Sequence, residues 1–480
     1  MKTRYKVLIV LVLVLGILIA AGVVALAILS IDEPPPDVAD LEVHRVDVAE
    51  DENGYSYLRE AGKVLWWPGY ESGAAYADAG FPEEPERQKD PVETEKSDRL
   101  EKIAAGKDWD DALVDEVLAH NAETFALIEK ALACPHFQVP PVLSIFTRVP
   151  EIFDWLSLMN LQAVSARNLF KRGREKQAFD EALSIVRMGH SIQGAKGCLI
   201  HYSVGQTVKL RGLEVMRQML PATVLDAEQL KACAKSLVSH DANEDGLTDA
   251  FRVEYAVTVN VLEDLKTGRM DIETLKGMGI EEPPSKPPRF SLERLAFFWH
   301  FRLNRTKRLC ADRFRTLIAN GCTNYARIER LERPADLPRP LHPLIPSNSA
   351  GKMVFLLLVP SLDSIPAHKC EENVDVAATR VLIALKAFKV VKGRLPETLG
   401  ELVPEYLDAV PLDDFDGKPL RYNPEKKVIY SVGKDLKDDG GMTKEEQKAW
   451  WSKEHPSWDY EMDGEPDVWQ MPDPSFPIEF

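Results

Sequence analysis

Cysteine is scarce in this chain: six among 480 residues, at 134, 198, 233, 310, 322 and 370, with no CxxC pair. The spacing argues against zinc ribbons and thioredoxin-like redox pairs. Six scattered thiols in so long a chain do not make a disulfide framework, so buried free thiols and occasional disulfides stand as equal alternatives. Positive charge is also short. Against 76 Asp and Glu there are 59 Lys and Arg, a net charge of −17, which argues against a nucleic-acid partner. Catalytic signatures are missing too. The ten histidines include no HExxH and no pair at i, i+4 spacing. "HYSVG" (201–205) lacks the first glycine of a nucleophile elbow, "SAGK" (349–352) lacks that of a phosphate loop, and "SVGK" (431–434) lacks the motifs that accompany SxxK.

Long apolar runs are absent but for one. Val7–Ile31 is 25 residues without a charge, and at about 1.5 Å per residue such a helix crosses a ~30 Å hydrocarbon core with some tilt. Lys2, Arg4 and Lys6 precede it; Asp32, Glu33, Asp37, Asp40 and Glu42 follow, beginning around the helix-stopping Pro34–Pro36. That asymmetry predicts a cytoplasmic N-terminus and an exported body. Ala25-Leu26-Ala27 offers a small-residue cleavage site, but a signal-peptide apolar region spans only about 7–15 residues. The expectation is an uncleaved signal anchor, with residues 1–31 as tail and anchor: a single-pass inner-membrane protein that meets the lipid bilayer through residues 7–31. "MVFLLLVP" (353–360) is too short to span and is expected to be buried.

The predicted fold class is mainly α, in four parts: the tail and transmembrane anchor (1–31), an irregular acidic segment (32–98), an all-helical hairpin or bundle domain (99–345) and a small C-terminal α+β module with an extension (346–480). Tyr55, Tyr57, Trp66, Trp67 and Tyr70 suggest that part of 32–98 packs against a domain. Apolar residues at Ile152, Trp155, Leu156, Met159, Ala163, Ala166 and Phe170 form one helical stripe, which resumes beyond Gly173 at Phe179, Ala182, Leu183 and Val186. At "LDAEQL" (225–230), Asp226 suits an N-cap, Gln229 completes a capping box, and Leu225 with Leu230 makes a hydrophobic staple. A helical run is predicted from Leu292 to Leu331, with loops at Pro283–Pro288 and a linker at Pro334–Pro346.

Two constellations have bland alternatives that we favour. "DANEDGLTDAFR" (241–252) opens like a calcium loop, but Arg252 stands where the bidentate Glu belongs, so a capping turn is expected. The basic and aromatic run 292–315 would suit anionic lipid head groups, but it reads more simply as a core helix with arginines outward.

In the C-terminal part, Val376–Val391 reads as an amphipathic helix stopped by Gly393 and Pro396, followed by a short helix at Glu397–Leu402. "KPLRY" and "KVIYSV" around "NPEK" read as an antiparallel β-hairpin, and the acidic loop "GKDLKDDGG" (433–441) follows. The loop is either a cation site or a solvated turn before a helix capped by Thr443 and Glu446.

The order helix, "GRLPETLGEL" (393–402), "VPLDDFDGKP" (410–419), hairpin and "YSVGKDLKDDGG" (430–441) resembles the globular part of the major (G-type) pseudopilin of type II secretion systems. The resemblance covers about 376–441, with a further piece at 467–469. It implies a calcium site formed by Asp435, Asp438 and Asp439, joined by Asp467. The N-terminus "MKTRYKVLIVLVLVLG" lacks the Gly-then-Glu cleavage site of that family, so pilus assembly is not implied. Anchor, helical region and module together resemble membrane-anchored envelope proteins of planctomycete-like bacteria. The expected function is a membrane-anchored extracytoplasmic binding or scaffold protein of the bacterial envelope, with a protein partner on its helical domain; the resemblance implies a secretion-related C-terminal module. The alternative is an envelope hydrolase whose cleft gathers His190, His201, His240 and nearby carboxylates.

Overall fold

The computed structural model describes residues 13–25, 31–78, 90–270, 297, 299–330, 347–359, 362–455 and 467–480. The proline-rich stretches at 283–288 and 334–346 lie outside the described residues, as do 7–12 and 26–30 of the apolar run. Residues 13–25 are helical and exposed along their length. Among the described residues no helix is long and apolar enough to cross a membrane.

The segment 32–98, expected to be irregular, carries helices. Asn53 caps α1 (Gly54–Val64) by accepting the Tyr55 N–H, and α2 (Gly73–Asp78) follows. The two glycines of α1 weaken its intrinsic propensity, which is why the pattern is faint in the sequence. Packing supplies the reason for one of them. A Cβ on Gly62 would lie 2.7 Å from the Asp154 Cβ, so only glycine admits the neighbouring helix. Asp154 accepts hydrogen bonds from Tyr70, Ser72 and the Gly73 and Ala74 N–H groups, pinning this segment to the body. Tyr55 and Trp67 enter the core, as their aromatic character suggested.

Asp90 caps α3 (Pro91–Ala104) and Asp110 caps α4 (Asp111–His120); α5 (Ala122–Ala133) completes the first layer. The predicted stripes become α6 (Glu151–Lys171) and α7 (Glu175–Gln193), separated at Gly173 with φ +76°. The third long helix is α8 (Leu199–Met219). It crosses α7 at backbone contact, since a Cβ on Gly189 would meet the Gly205 carbonyl at 2.5 Å. In α9 (Ala227–Ser236) both bonds of the Asp226/Gln229 capping box are present, and Leu225 and Leu230 are buried. Asn243 caps α10 (Glu244–Thr267), so the calcium-like stretch at 241–252 is a capping turn.

The run predicted as one helix to Leu331 is shorter: α11 is Leu303–Gly321. Asn320 ends it by bonding both the N–H and the carbonyl of Glu329, which folds the following turn back over the helix end. Phe301 and Phe314 are buried, while Trp299 keeps 38% of its surface exposed. The acidic segment after the apolar run is clamped along α11. Asp32 accepts the Asn304 N–H, Glu33 pairs with Arg305 and Arg308, and Asp40 pairs with Arg315. In α12 (Ser349–Leu358), Val354 is buried but Leu357 is 48% exposed, so "MVFLLLVP" is only partly covered.

The helix expected over 376–391 is α13 (Ile365–Lys392). It starts earlier, with Pro366 in its first turn, and is buried on nearly every side because helices cover one face and the sheet the other. Gly393 ends it at φ +71°. The short helix expected at 397–402 is a 3-10 turn, Leu399–Leu402. The predicted hairpin is β1 (Arg421–Asn423) and β2 (Val428–Tyr430), with Asn423 opposite Val428. A third strand, β3 (Ser475–Pro477), pairs antiparallel with β2 and gives the order β1-β2-β3. Between them lies α14 (Lys444–Glu454), opened by the Thr443/Glu446 capping box. One apolar cluster runs from Tyr55 to Ile478 and so joins the helical region and the module in a single core.

Candidate functional site

The acidic loop is held by neighbours of opposite polarity. Asp435 ends a 3-10 turn, Gly433–Asp435, and accepts the Lys437 N–H. Asp438 accepts from Arg421 Nε at 3.2 Å, Tyr430 Oη at 3.0 Å and the Gly440 N–H. Asp439 donates its N–H to Asp473 Oδ2, which also takes the Gly441 N–H. Asp467 caps the turn Val468–Gln470 through the Trp469 N–H. Among the described residues no three His, Cys, Asp or Glu side chains gather closely enough to hold a metal ion.

Two carboxylates of this region were missed in the sequence. Asp413 is fully buried and accepts from Ser431 Oγ, the Phe415 and Val432 N–H groups and Arg421, tying the "VPLDDFDGKP" loop to the strand end. Asp473 is also buried, and its Oδ1 has no hydrogen-bond partner. Burial raises its pKa, and the charges of Asp439 and Asp438 add to this against the two N–H bonds. Its position between Pro472 and Pro474 was the only signal available.

The three histidines do not converge. His190 and His240 meet at 5.5 Å between ring centroids, and Lys209 Nζ lies 3.4 Å from His190 Nδ1. Burial, with the charges of Lys209 and His240, holds the His190 pKa down at about 4. His201 stands elsewhere, with Nδ1 3.2 Å from Cys198 Sγ and Nε2 3.6 Å from Glu151. Burial opposes its charge, but the contact with Cys198 and the nearby Glu151 carboxylate bring its pKa up to about 9. All six cysteines are free thiols. None of these histidines lines the clefts described here.

A cleft of about 540 Å³ opens between α8, α13 and the C-terminal segment. Arg217 on α8 donates from Nη1 to Asp375 and Thr379 of α13, each at 2.8 Å, and its guanidinium lies 5.6 Å over the Phe476 ring. Burial raises the Asp375 pKa against the lowering effect of Arg217. Trp469 stacks on Phe415 at 5.7 Å and meets Phe476 edge-on at 6.2 Å. Fixed aromatic rings beside a cation are typical of surfaces that hold peptides.

The neighbouring sheet edge does not invite strand addition. Pro477 has no N–H to offer, and the Ser475 carbonyl is already taken by Gln447 Nε2 at 3.0 Å. Aromatic sequence content pointed toward packing, but not to this cleft, whose walls come from four separated stretches of chain. No family model, no curated protein and no solved structure matches the chain.

Proposed function

We propose that the protein is a single-pass, membrane-anchored extracytoplasmic binding or scaffold protein of the bacterial envelope, holding a segment of a partner protein between α8, α13 and the C-terminal segment. The observation that carries this reading is the cleft itself, with Arg217, Trp469 and Phe476 fixed on its walls. The charge flanks of the apolar run support an inner-membrane anchor with a cytoplasmic N-terminus. The clamp of Asp32, Glu33 and Asp40 on α11 would then hold the body at a set orientation to the bilayer. No comparable observation supports the hydrolase alternative.

A photo-crosslinking side chain at Thr207, inside the cleft, tests the binding reading against one at the exposed Lys176. A discrete partner band from position 207 alone supports it; no band, or the same bands from both positions, overturns it. Protease added to intact spheroplasts tests the topology. Digestion of all but the anchor and its short tail is expected, and protection of the body overturns the exported orientation.

The pseudopilin resemblance supports a calcium-stabilised, secretion-related module, with Asp435, Asp438, Asp439 and Asp467 as the implied ligands. These carboxylates do not gather into a metal-holding cluster among the described residues, and the observation in favour of the reading is the partnerless Asp473 Oδ1, on which the charges of Asp438 and Asp439 act. We therefore add Asp473 to that set. A hard cation there would offset the repulsion among these carboxylates.

A further inference from the structure

A second, more polar cleft of about 440 Å³ lies away from Arg217 and Trp469. Four stretches converge on it: the turn before α10, the turn after α11, one face of α13 and the loop 411–417. Most of its charged lining is already satisfied. Lys369 Nζ donates to the Thr323 carbonyl at 3.1 Å and to Asp414 at 3.0 Å, and lies 3.4 Å from Glu244. Asn373 donates to the same Asp414 oxygen and accepts the Ala242 N–H. Asp413 is paired with Arg421. The Tyr325 and Ala326 N–H groups bond the Asp414 and Phe415 carbonyls, so the walls are tied to each other by backbone.

Four lining groups are left over, one of them the exposed Arg327, which makes no side-chain hydrogen bond or ion pair among the described residues. Among the described residues the Arg380 guanidinium makes no hydrogen bond or ion pair, and its Nε is buried. The Asp241 side chain is exposed and accepts no hydrogen bond from the protein, although the Arg380 charge acts on it. Asn324 Oδ1 is buried without a donor. An arginine and a carboxylate facing one cleft ordinarily close into a bidentate pair. Here each is fixed on a different element and they stay apart, which leaves a donor fork on one side and two acceptors on the other. The acids that would repel an incoming carboxylate, Glu244, Asp413 and Asp414, are offset by Lys369 and Arg421.

We propose that this cleft binds a small zwitterion with an α-amino-acid head, its carboxylate on Arg380 and its ammonium on Asp241 and Asn324 Oδ1. Both ends are recognised by groups that otherwise lack a protein partner, and the cavity has room for a small molecule. The site is separate from the peptide cleft, so either assignment can fail without the other.

The test uses the detergent-solubilised full chain and thermal melting with each of the protein amino acids, at up to roughly 10 mM. At least one is expected to raise the melting temperature, while its N-acetyl and methyl-ester derivatives do not. Titration calorimetry should then show Arg380→Gln and Asp241→Asn each weakening that amino acid by about tenfold or more. The second variant keeps the test decisive if the first does not fold. No response to any amino acid, a response retained by both blocked derivatives, or an affinity unchanged in a folded variant overturns the assignment.

Discussion

The chain concentrates charge in two places and treats it in opposite ways. Between α8 and α13, Lys209 and Glu372 meet at 2.6 Å with both side chains 0% exposed. Gln193 Nε2 donates to the two Glu372 oxygens, and Lys209 also donates to the Asp241 carbonyl. In the loop 433–441 the carboxylates stand near water, and Asp438 keeps 51% of its side chain exposed while bonding Arg421. The first arrangement couples the helical region to the module, because each charge has lost its water and depends on the other. The second uses charges that water already solvates, so its ion pair contributes little to stability. Burial, and not the number of charges, decides which arrangement matters.

The largest test of that contrast is Lys209→Met. It leaves Glu372 buried without its cation and should lower unfolding free energy by about 3–5 kcal/mol, read from urea denaturation of the full chain. Lys209→Met with Glu372→Leu should recover much of the loss, since the cost lies in the orphaned charge. An equal loss in both variants would break the comparison.

The neighbouring His190 extends it to pH. Its pKa is about 4 in the folded state against an ordinary 6.5, so the unfolded chain binds the proton more tightly. Its contribution is complete above about pH 6.5 and is lost as pH falls toward 4, on the order of 3 kcal/mol in all. The melting temperature of His190→Gln should therefore fall less between pH 7.5 and 5 than that of the wild type, measured side by side. Equal falls would remove His190 as the cause.

At the exposed loop, calcium is the sharper probe. If it binds the folded chain alone, a concentration of about 100 dissociation constants stabilises by about 2.7 kcal/mol. The rise in melting temperature over chelator should vanish in Asp438→Ala with Asp439→Ala, and magnesium should not reproduce it. Equal melting of the wild type in chelator and in calcium would leave the loop as a solvated turn. The smallest expected effect is Thr443→Ala, which removes one bond of the capping box of α14 and should cost about 1 kcal/mol in urea denaturation.

Much of the helical region was legible because its signals are local. The stripe from Ile152 to Phe170, the break at Gly173 and the caps at Asp226 and Thr443 each lie within a few turns of the chain they organise. The hairpin was legible for the same reason, since its strands and loop are contiguous. α1 was not, because its glycines serve close packing and not the helix itself, Gly54 against the Ala131 carbonyl and Gly62 against Asp154. β3 was not, because three residues carry no alternation and their partner strand lies far upstream. At the candidate sites, Asp438 and Asp439 stood out as a cluster, while Asp473, Arg217 and Arg380 carried no local mark.

The sequence by itself determined where the chain turns helical, where several of those helices begin and end, and that the apolar run at its start has asymmetric charge flanks. Those properties depend on hydrogen bonds, side-chain spacing and charge among near neighbours, which the order of residues specifies directly. Only the tertiary structure decided that Lys209 lies against Glu372, that Arg217 bridges two helices beneath Phe476, and that Arg380 and Asp241 face one cleft without closing on each other. These are relations between distant stretches, set by how buried surfaces fit, and burial is what turns an ordinary charged residue into a structural or binding one.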